Sequence, residues 1–313
     1  MASFSLKPKD VIALVCTGTP CSSESDPKQA AIYLMERYGF ETRYHIDTYQ
    51  SLPARARADI FMRYLLDERI SAIWSLRGGE GTADIIPYLE LQAATLRRLP
   101  PKLLIGFSDF TSLLIYFEQR YSWPVIHGVG ARQMPLRMID ELSETTTLRW
   151  LCHKNHSIEI TPLHPLNSLA HTPTKINARV TGGNLSLLHI SLNDVWQVEG
   201  CGKILLIEEV NEKPHKVTRT LKHLHRIGFF NGVKAIIFAG FDFPDLSLLE
   251  NDEIRCTMLR LFQQFGREVT CPVFYTDLIG HGKVNYPVPF YADAELCMGE
   301  RASLCVRRVP ICR

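Results

Sequence analysis

Apolar and polar positions alternate in blocks along the first half of the chain, and these blocks predict strands and helices in turn. Residues 11–16 form a continuous apolar run, which is typical of a strand buried on both faces. A helix opens with Asp26 as its N-cap and Pro27 in its first turn, and Gly39 supplies the left-handed residue that ends it. The remaining predictions in this half are strand 41–45, helix 54–67, strand 72–76, strand Leu103–Gly106 and helix 109–119.

The periodicity breaks between residues 154 and 174, where prolines interrupt the chain, and then resumes. The second half predicts strand 203–207, helix 214–227, strand 235–238, helix 252–265 and strand Val273–Tyr275. We therefore expect an α/β protein. Its N-terminal domain, residues 1–150, would hold a doubly wound, mostly parallel sheet. Residues 151–174 would form a linker, and residues 175–313 a smaller, mixed α/β C-terminal domain.

The charge balance excludes some classes of partner. The chain has 313 residues, with 35 Lys and Arg against 33 Asp and Glu, so its formal net charge is +2. A nucleic-acid-binding protein normally carries a strong basic excess. No apolar run approaches the roughly 18 residues of a membrane span. We expect neither nucleic acid nor membrane as a partner.

Two further features indicate the compartment. The apolar run at 11–16 is shorter than the roughly 7–15 residues of a signal-peptide core, and an aspartate precedes it. The nine cysteines include no CxxC pair, so they outline neither a disulfide framework nor a zinc site. We expect a cytoplasmic protein with mostly free thiols and no bound metal.

A glycine-rich segment, Arg77-Gly78-Gly79-Glu80-Gly81, follows the predicted strand 72–76. Such a loop brings backbone N–H groups close to a ligand. The alternative is a strand-to-helix turn that binds nothing. A dinucleotide site would need G-x-G-x-x-G, and a phosphate-binding P-loop would need a Gly-Lys-Ser/Thr ending. The segment has neither pattern.

Ser108, in Gly106-Phe107-Ser108-Asp109, lies between a buried strand and a buried helix. A nucleophile elbow exposes its serine at such a junction, and the helix N-terminus offers N–H groups to an oxyanion. The alternative is an ordinary helix N-cap, and the segment lacks the second glycine of G-x-S-x-G. We expect the N–H groups of Asp109, Gly78 and Gly79 to form the oxyanion hole.

Glu208 and His281 could complete a catalytic set. Glu208 and Glu209 follow a predicted strand, where ligands of parallel sheets bind. The alternative is a pair of solvated loop acids, which we expect for Glu209. His281 lies between glycines and has the intrinsic pKa of a general base, although it could equally be a turn residue without a role. The order Ser, Glu, His occurs in known triads.

Seven short motifs follow one another along nearly the whole chain. They are Leu6-Lys7-Pro8-Lys9-Asp10, Arg77-Gly78-Gly79-Glu80-Gly81, Gly106-Phe107-Ser108-Asp109, His127-Gly128, Gly182-Gly183-Asn184-Leu185, Leu206-Ile207-Glu208-Glu209 and Gly280-His281-Gly282. In these motifs and their order the chain resembles the LD-carboxypeptidase family. The members of that family are cytoplasmic serine peptidases that recycle peptidoglycan fragments, and they are commonly homodimers.

The resemblance implies a reaction and a set of residues. Ser108, Glu208 and His281 would be catalytic, and no cofactor would be needed. The reaction would remove the terminal D-alanine of a murein tetrapeptide from the L-centre of a diamino acid. Arg77 is a candidate partner for the substrate carboxylate. Glu80 and Asn184 are further candidate substrate contacts. The partner of this protein would thus be a small peptide, with a second copy of the chain in a homodimer.

Departures from the family pattern leave the substrate and the activity open. Glu80 stands where the family usually has tyrosine, and Lys9 replaces a glycine. His215 and Thr218 stand where the family often has tyrosine and aspartate. A related possibility is a hydrolase of the microcin C immunity type, which cleaves aminoacyl-nucleotide amides. Two possibilities from different classes are an inactive module that binds muropeptides and a dinucleotide-binding oxidoreductase.

Overall fold

The computed structural model describes residues 4–153 and 157–308. The strands in these residues are β1 (Val11–Val15), β2 (Glu41–Arg43), β3 (Ile70–Ser75), β4 (Leu103–Gly106), β5 (Val125–His127), β6 (Ser157–Pro165), β7 (Lys175–Asn184), β8 (Ile204–Val210), β9 (Ala235–Asp242), β10 (Val273–Tyr275), β11 (Val288–Pro289), β12 (Asp293–Cys297) and β13 (Ala302–Arg307). The α-helices are α1 (Ser25–Tyr38), α2 (Ala54–Leu66), α3 (Ile86–Glu90), α4 (Ala93–Leu96), α5 (Thr111–Tyr121), α6 (Glu141–Cys152), α7 (Leu185–Ile190), α8 (Pro214–Arg226) and α9 (Leu248–Gly266).

The first sheet has six strands in the order β2-β1-β3-β4-β5-β11. Strands β1 to β5 are parallel to their neighbours, and β11 joins β5 in the antiparallel direction. The order 2-1-3-4-5 is a common doubly wound arrangement, whose ligands bind beyond the carboxyl ends of the strands. The predicted doubly wound, mostly parallel sheet is confirmed.

The second sheet closes into a barrel in the order β10-β6-β13-β12-β7-β8-β9. Strands β7, β8, β9 and β10 pair in parallel, whereas β6, β12 and β13 pair antiparallel. Helix α8 buries one apolar face through Val217, Leu221 and Leu224, as helical spacing requires. The predicted mixed α/β character of the second part is confirmed.

The segment predicted as a linker contains regular structure, and that part of the prediction is wrong. Residues 151–152 complete α6, and 157–165 form β6, while 154–156 lie outside the described residues. Ile158, Ile160 and Leu163 point into the core. Strand β6 pairs with β13 and β10, so its partners lie more than a hundred residues away and leave no local signal. The proposed domain boundaries stay a prediction.

Several predicted elements differ from the structure at their ends. Strand β8 continues to Val210 and β9 to Asp242, so Glu208 lies inside a strand and not after it. Asp26 is not the N-cap of α1, because the cap is Glu24 and it makes no side-chain capping bond. Gly39 ends α1 at φ 73°, as predicted for a left-handed glycine.

Large apolar side chains are buried against both sheets. All four tryptophans are at most 2% exposed, and each such side chain removes a large apolar area from water. Trp74 also donates its indole N–H to the Val129 carbonyl at 2.8 Å. The eight cysteines in the described part of the chain are free thiols. None of the helices described is long and apolar enough to cross a membrane.

Candidate active site

Ser108 begins a one-turn 3-10 helix that leads from β4 into α5. Its φ is +59°, a left-handed value that costs a non-glycine residue about 1–3 kcal/mol. Phe107 before it is fully extended. The sharp turn places Ser108 at the carboxyl edge of the first sheet. This is the backbone geometry of a nucleophile elbow.

The neighbouring glycine loop leaves room for the serine. A Cβ on Gly78 would lie 2.5 Å from Ser108 Oγ, so no larger residue fits there without moving the hydroxyl. Gly79 instead faces Thr19, where a Cβ would come within 2.5 Å of the side chain. The two glycines therefore face different neighbours: Gly78 packs against Ser108, and Gly79 packs against Thr19.

A pocket of about 270 Å³ brings several of the predicted residues together. Its walls include Arg77, Gly78, Gly79, Ser108 and His281. No role was predicted from the sequence for the other residues of the wall, which are Leu76, Phe107, Arg132, Gln133, Met138 and Pro244.

Glu208 contacts His281 in the interior of the protein. Glu208 Oε2 lies 2.8 Å from His281 Nδ1, and the side chain of Glu208 is fully buried. The pairing of β8 with β9 shifts register between Ile207 and Glu209. Such a bulge bends a strand and re-aims a side chain.

The contact between Glu208 and His281 shifts the pKa of both side chains. Burial alone would raise the pKa of the Glu208 carboxyl, but His281 and a second histidine, His127, outweigh burial and lower the pKa to about 2. Burial would lower the pKa of His281. The carboxylates of Glu208, Glu209 and Asp242 outweigh that effect and raise it. The arrangement favours a carboxylate next to an imidazole that readily accepts a proton.

Ser108 and His281 face the same pocket without a hydrogen bond between them. His281 Nε2 has no hydrogen-bond partner among residues 4–153 and 157–308. The ring of Phe107 packs on the ring of His281, with centroids 4.8 Å apart. Contacts between a nucleophile and its base are often long without substrate and shorten when substrate binds.

Asp242 holds the loop that carries His281, and the sequence did not single it out. Its Oδ2 accepts the backbone N–H of His281 at 2.9 Å. Gly280 and Gly240 let the backbone approach this carboxylate closely. Burial raises the pKa of Asp242. Asp242 is the last residue of β9, whereas the predicted strand stopped at residue 238, so the sequence carried no signal for it.

Asp109 lies directly after Ser108, in the first turn of the helical segment. The first N–H groups of a helix have no partner within the helix, so the Asp109 N–H can face an oxyanion. Its side chain is engaged elsewhere, because Oδ2 accepts the Thr82 N–H at 2.8 Å. Burial raises the pKa of Asp109.

Arg77 and Glu80 lie on different sides of the glycine loop. Arg77 donates to the carbonyls of Gly78 and Pro20, at 3.1 and 3.2 Å, and within the described chain it forms no ion pair with a carboxylate. Glu80 is exposed and lines a separate pocket of about 490 Å³ together with Arg57. Glu80 is therefore outside the pocket of Ser108.

Asn184 and Glu209 form an internal pair, and the expectation of a solvated Glu209 is wrong. Glu209 is 3% exposed and not solvated. It accepts hydrogen bonds from Asn184 Nδ2 at 2.7 Å and from the Ser186 hydroxyl at 2.7 Å. Asn184 Oδ1 accepts the N–H of Leu187 and caps α7. Its amide is thus engaged within the protein, and its role as a substrate contact stays a prediction.

Residues 4–153 and 157–308 hold no group of three or more His, Cys, Asp or Glu arranged for a metal ion.

Two family models match separate parts of this chain. Residues 12–128 match the LD-carboxypeptidase N-terminal domain, and residues 177–296 match the LD-carboxypeptidase C-terminal domain. A protein of Rickettsia conorii with a provisional carboxypeptidase name is 34% identical over 240 residues, 77% of this chain and 72% of the relative. The murein tetrapeptide carboxypeptidase of Pseudomonas aeruginosa is 29% identical over 240 residues, 72% of each chain.

A solved structure shares the fold. The crystal structure of an MccF-like protein from Bacillus anthracis superposes with a TM-score of 0.82 at 18% identity, over 99% of this chain and 100% of that one. With both domain matches and the Rickettsia relative, the chain belongs to the LD-carboxypeptidase family.

Proposed function

We propose that this protein is a serine peptidase that removes the terminal D-alanine from a murein tetrapeptide. The bond cleaved joins that residue to the L-centre of a diamino acid. The observation that carries the proposal is the buried 2.8 Å contact of Glu208 with His281, next to the left-handed turn of Ser108. The relative named murein tetrapeptide carboxypeptidase supports the substrate class.

Ser108 attacks the scissile carbonyl, and His281 takes the proton from its hydroxyl. Glu208 keeps the imidazole in the required tautomer and stabilises the imidazolium that forms. Its low pKa supports this role, because the carboxylate stays charged through the working range of a histidine.

The tetrahedral oxyanion is stabilised by the N–H of Asp109 and by the Gly78–Gly79 turn. One such donor typically contributes about 3–4 kcal/mol to the transition state. His281 then protonates the leaving amine of D-alanine. Water hydrolyses the acyl-enzyme through the same groups in reverse, and the sequence of steps requires neither metal nor organic cofactor.

Arg77 binds the free carboxylate of the substrate in this proposal. Arg77 borders the pocket, and its guanidinium donates to two carbonyls but has no carboxylate partner in the described chain. Arg132 borders the same pocket, but its Nε lies 3.5 Å from Asp26, so its charge is partly compensated. Arg77 is therefore the better candidate. We place the reaction in the cytoplasm, in the recycling of peptidoglycan, and expect a homodimer.

The test is mass spectrometry of a murein tetrapeptide incubated with the wild type, S108A and S122A. Ser122 is a matched control, because it is also a serine at positive φ, 54°, but it is exposed at the end of α5. We expect loss of one alanine with the wild type and S122A, and none with S108A. Cleavage by S108A at the wild-type rate would refute the assignment of the nucleophile.

A hydrolase of aminoacyl-nucleotide amides is the second candidate, supported by the fold shared with the MccF-like protein. Adenine recognition commonly uses an aromatic surface. All four tryptophans are buried, and Phe107 in the pocket packs on His281. These observations favour the peptide. Release of the amino acid from an aminoacyl sulfamoyl adenosine, with the tetrapeptide left intact, would reverse that choice.

A further inference from the structure

A second histidine lies near the Glu208 carboxylate oxygen that His281 does not contact. His127 Nε2 lies 3.5 Å from Glu208 Oε1, and both side chains are fully buried. His281 Nδ1 lies 2.8 Å from the other oxygen, Oε2. Each carboxylate oxygen thus faces its own imidazole.

The ring of His127 is enclosed by groups from both sheets. His127 ends β5 of the first sheet, while Glu208 is on β8 of the barrel. The ring of Phe290 stacks on His127 at 6.0 Å. A Cβ on Gly183 would come within 3.4 Å of His127 Cδ2, so glycine at that position admits the ring.

We propose that His127 is a positioning residue for the hydrolysis: it holds Glu208 Oε1, so that Oε2 stays directed at His281 Nδ1. This inference rests on the proposed function. Rotation about the last bond of a glutamate side chain is soft. One partner would leave the carboxylate plane free to turn, whereas two partners on opposite oxygens fix it.

The charges around Glu208 also favour a second imidazole. The other ionisable groups that face it are Glu209 on the same strand and Asp242 on β9. Both are acids, and each disfavours a buried carboxylate nearby. His127 and His281 are the groups that favour the charged form.

The test compares H127Q and H127L, with H164Q as a control at an exposed histidine of β6. The glutamine amide reaches to about the position of the imidazole Nε2 and can donate a hydrogen bond, whereas leucine preserves bulk alone. Three measurements are made: kcat and KM on the tetrapeptide, labelling of Ser108 by a fluorophosphonate against pH, and NMR titration of the His281 imidazole.

For H127L we expect kcat to fall roughly tenfold to a hundredfold with KM little changed, since a misplaced catalytic group costs about this much. Glu208 raises the pKa of His281, so weaker contact should move the acid limb of the pH profile to lower pH. H127Q should keep most of the rate and the wild-type profile, and H164Q should match the wild type.

Equal losses in H127L and H127Q, without a change in pH profile, would assign His127 to packing alone and overturn the proposal. The proposal would also be overturned if H127L kept the wild-type rate and the wild-type titration of His281. If H127L does not fold, H127N replaces it, because its shorter amide falls short of Glu208. The labelling and NMR readouts need no peptide, so inactivity of the wild type on the tetrapeptide would refute the proposed function and leave this test intact.

Discussion

At the residue scale, the candidate site depends on one carboxyl group that stays charged while fully buried. Glu208 does so because two imidazoles approach it. An isolated buried carboxylate would be strongly disfavoured. The same contact makes His281 a stronger base than a free histidine, and both effects can be measured by changing pH.

Catalysis should follow the protonation of His281. Its pKa is raised, and only the neutral imidazole accepts the serine proton. We expect kcat/KM to rise with pH through a midpoint above the usual histidine value of about 6.5. E208Q should move this midpoint down and lower the rate less than S108A does. A midpoint that is identical in the wild type and E208Q would contradict this account.

Stability at acid pH should also depend on Glu208. Its pKa is about 2 in the folded protein, against a reference of 4.5. A lowered pKa adds stability that is complete above the reference value and is lost as pH falls towards the folded value. The free energy of unfolding should therefore fall between about pH 4.5 and 2 more steeply in the wild type than in E208Q. The free energy of unfolding is measured by urea titration at each pH. If it fell equally in the wild type and E208Q across this window, the contact of Glu208 with the histidines would make no contribution to stability.

At the scale of elements, the positions of the candidate catalytic groups are set by the ends of β3, β4 and β9 and by the bulge in β8. Strand β4 ends at the Ser108 turn, and β3 leads into the glycine loop beside it. The bulge in β8 and the extension of β9 to Asp242 set Glu208 and the His281 loop. Small backbone changes in these elements should affect the rate more than the stability.

Gly78→Ala tests this at the loop. The added methyl group would lie 2.5 Å from Ser108 Oγ, so the hydroxyl has to move, and we expect kcat to fall about a hundredfold. Gly266→Ala is the matched control, because Gly266 ends α9, does not line the pocket, and a Cβ there would lie 3.3 Å from its nearest neighbour. Steady-state kinetics and thermal melts of both variants separate the effects. Equal kinetics in the two variants would exclude tight packing of Gly78 on the nucleophile.

At the scale of the whole molecule, the two sheets are joined by more than one connection. Strand β11, far along the second half of the chain, pairs with β5 of the first sheet. His127 of the first sheet faces Glu208 of the barrel. The site therefore exists only when both sheets are assembled against each other.

Unfolding should accordingly be one cooperative transition. We expect a single calorimetric peak, with a calorimetric enthalpy close to the van't Hoff enthalpy. Val288→Ala, at a fully buried position of β11, should lower the stability by about 2 kcal/mol and shift the whole peak. Two separated peaks in the wild type would show that the sheets unfold independently.

Features that depend on neighbouring residues can be read from the amino-acid sequence. The left-handed stop at Gly39, the short strand β4 and the turn at Ser108 each follow from a few adjacent residues. The parallel first sheet follows from the alternation of buried strands with helices. The family followed from several motifs in order, and the roles of Ser108, Glu208 and His281 stay a prediction.

Features that depend on residues far apart in the chain become visible only in the folded protein. Strand β6 is stabilised by pairing with β13, and it was not predicted from the periodicity of its own sequence. The Glu209 carboxylate can be buried because Asn184 and Ser186 donate hydrogen bonds to it. Asp242 and His127 meet the candidate site only after the sheets assemble. Burial and electrostatic interactions act through space, so residues remote in the sequence decide the partners and the charge of a side chain.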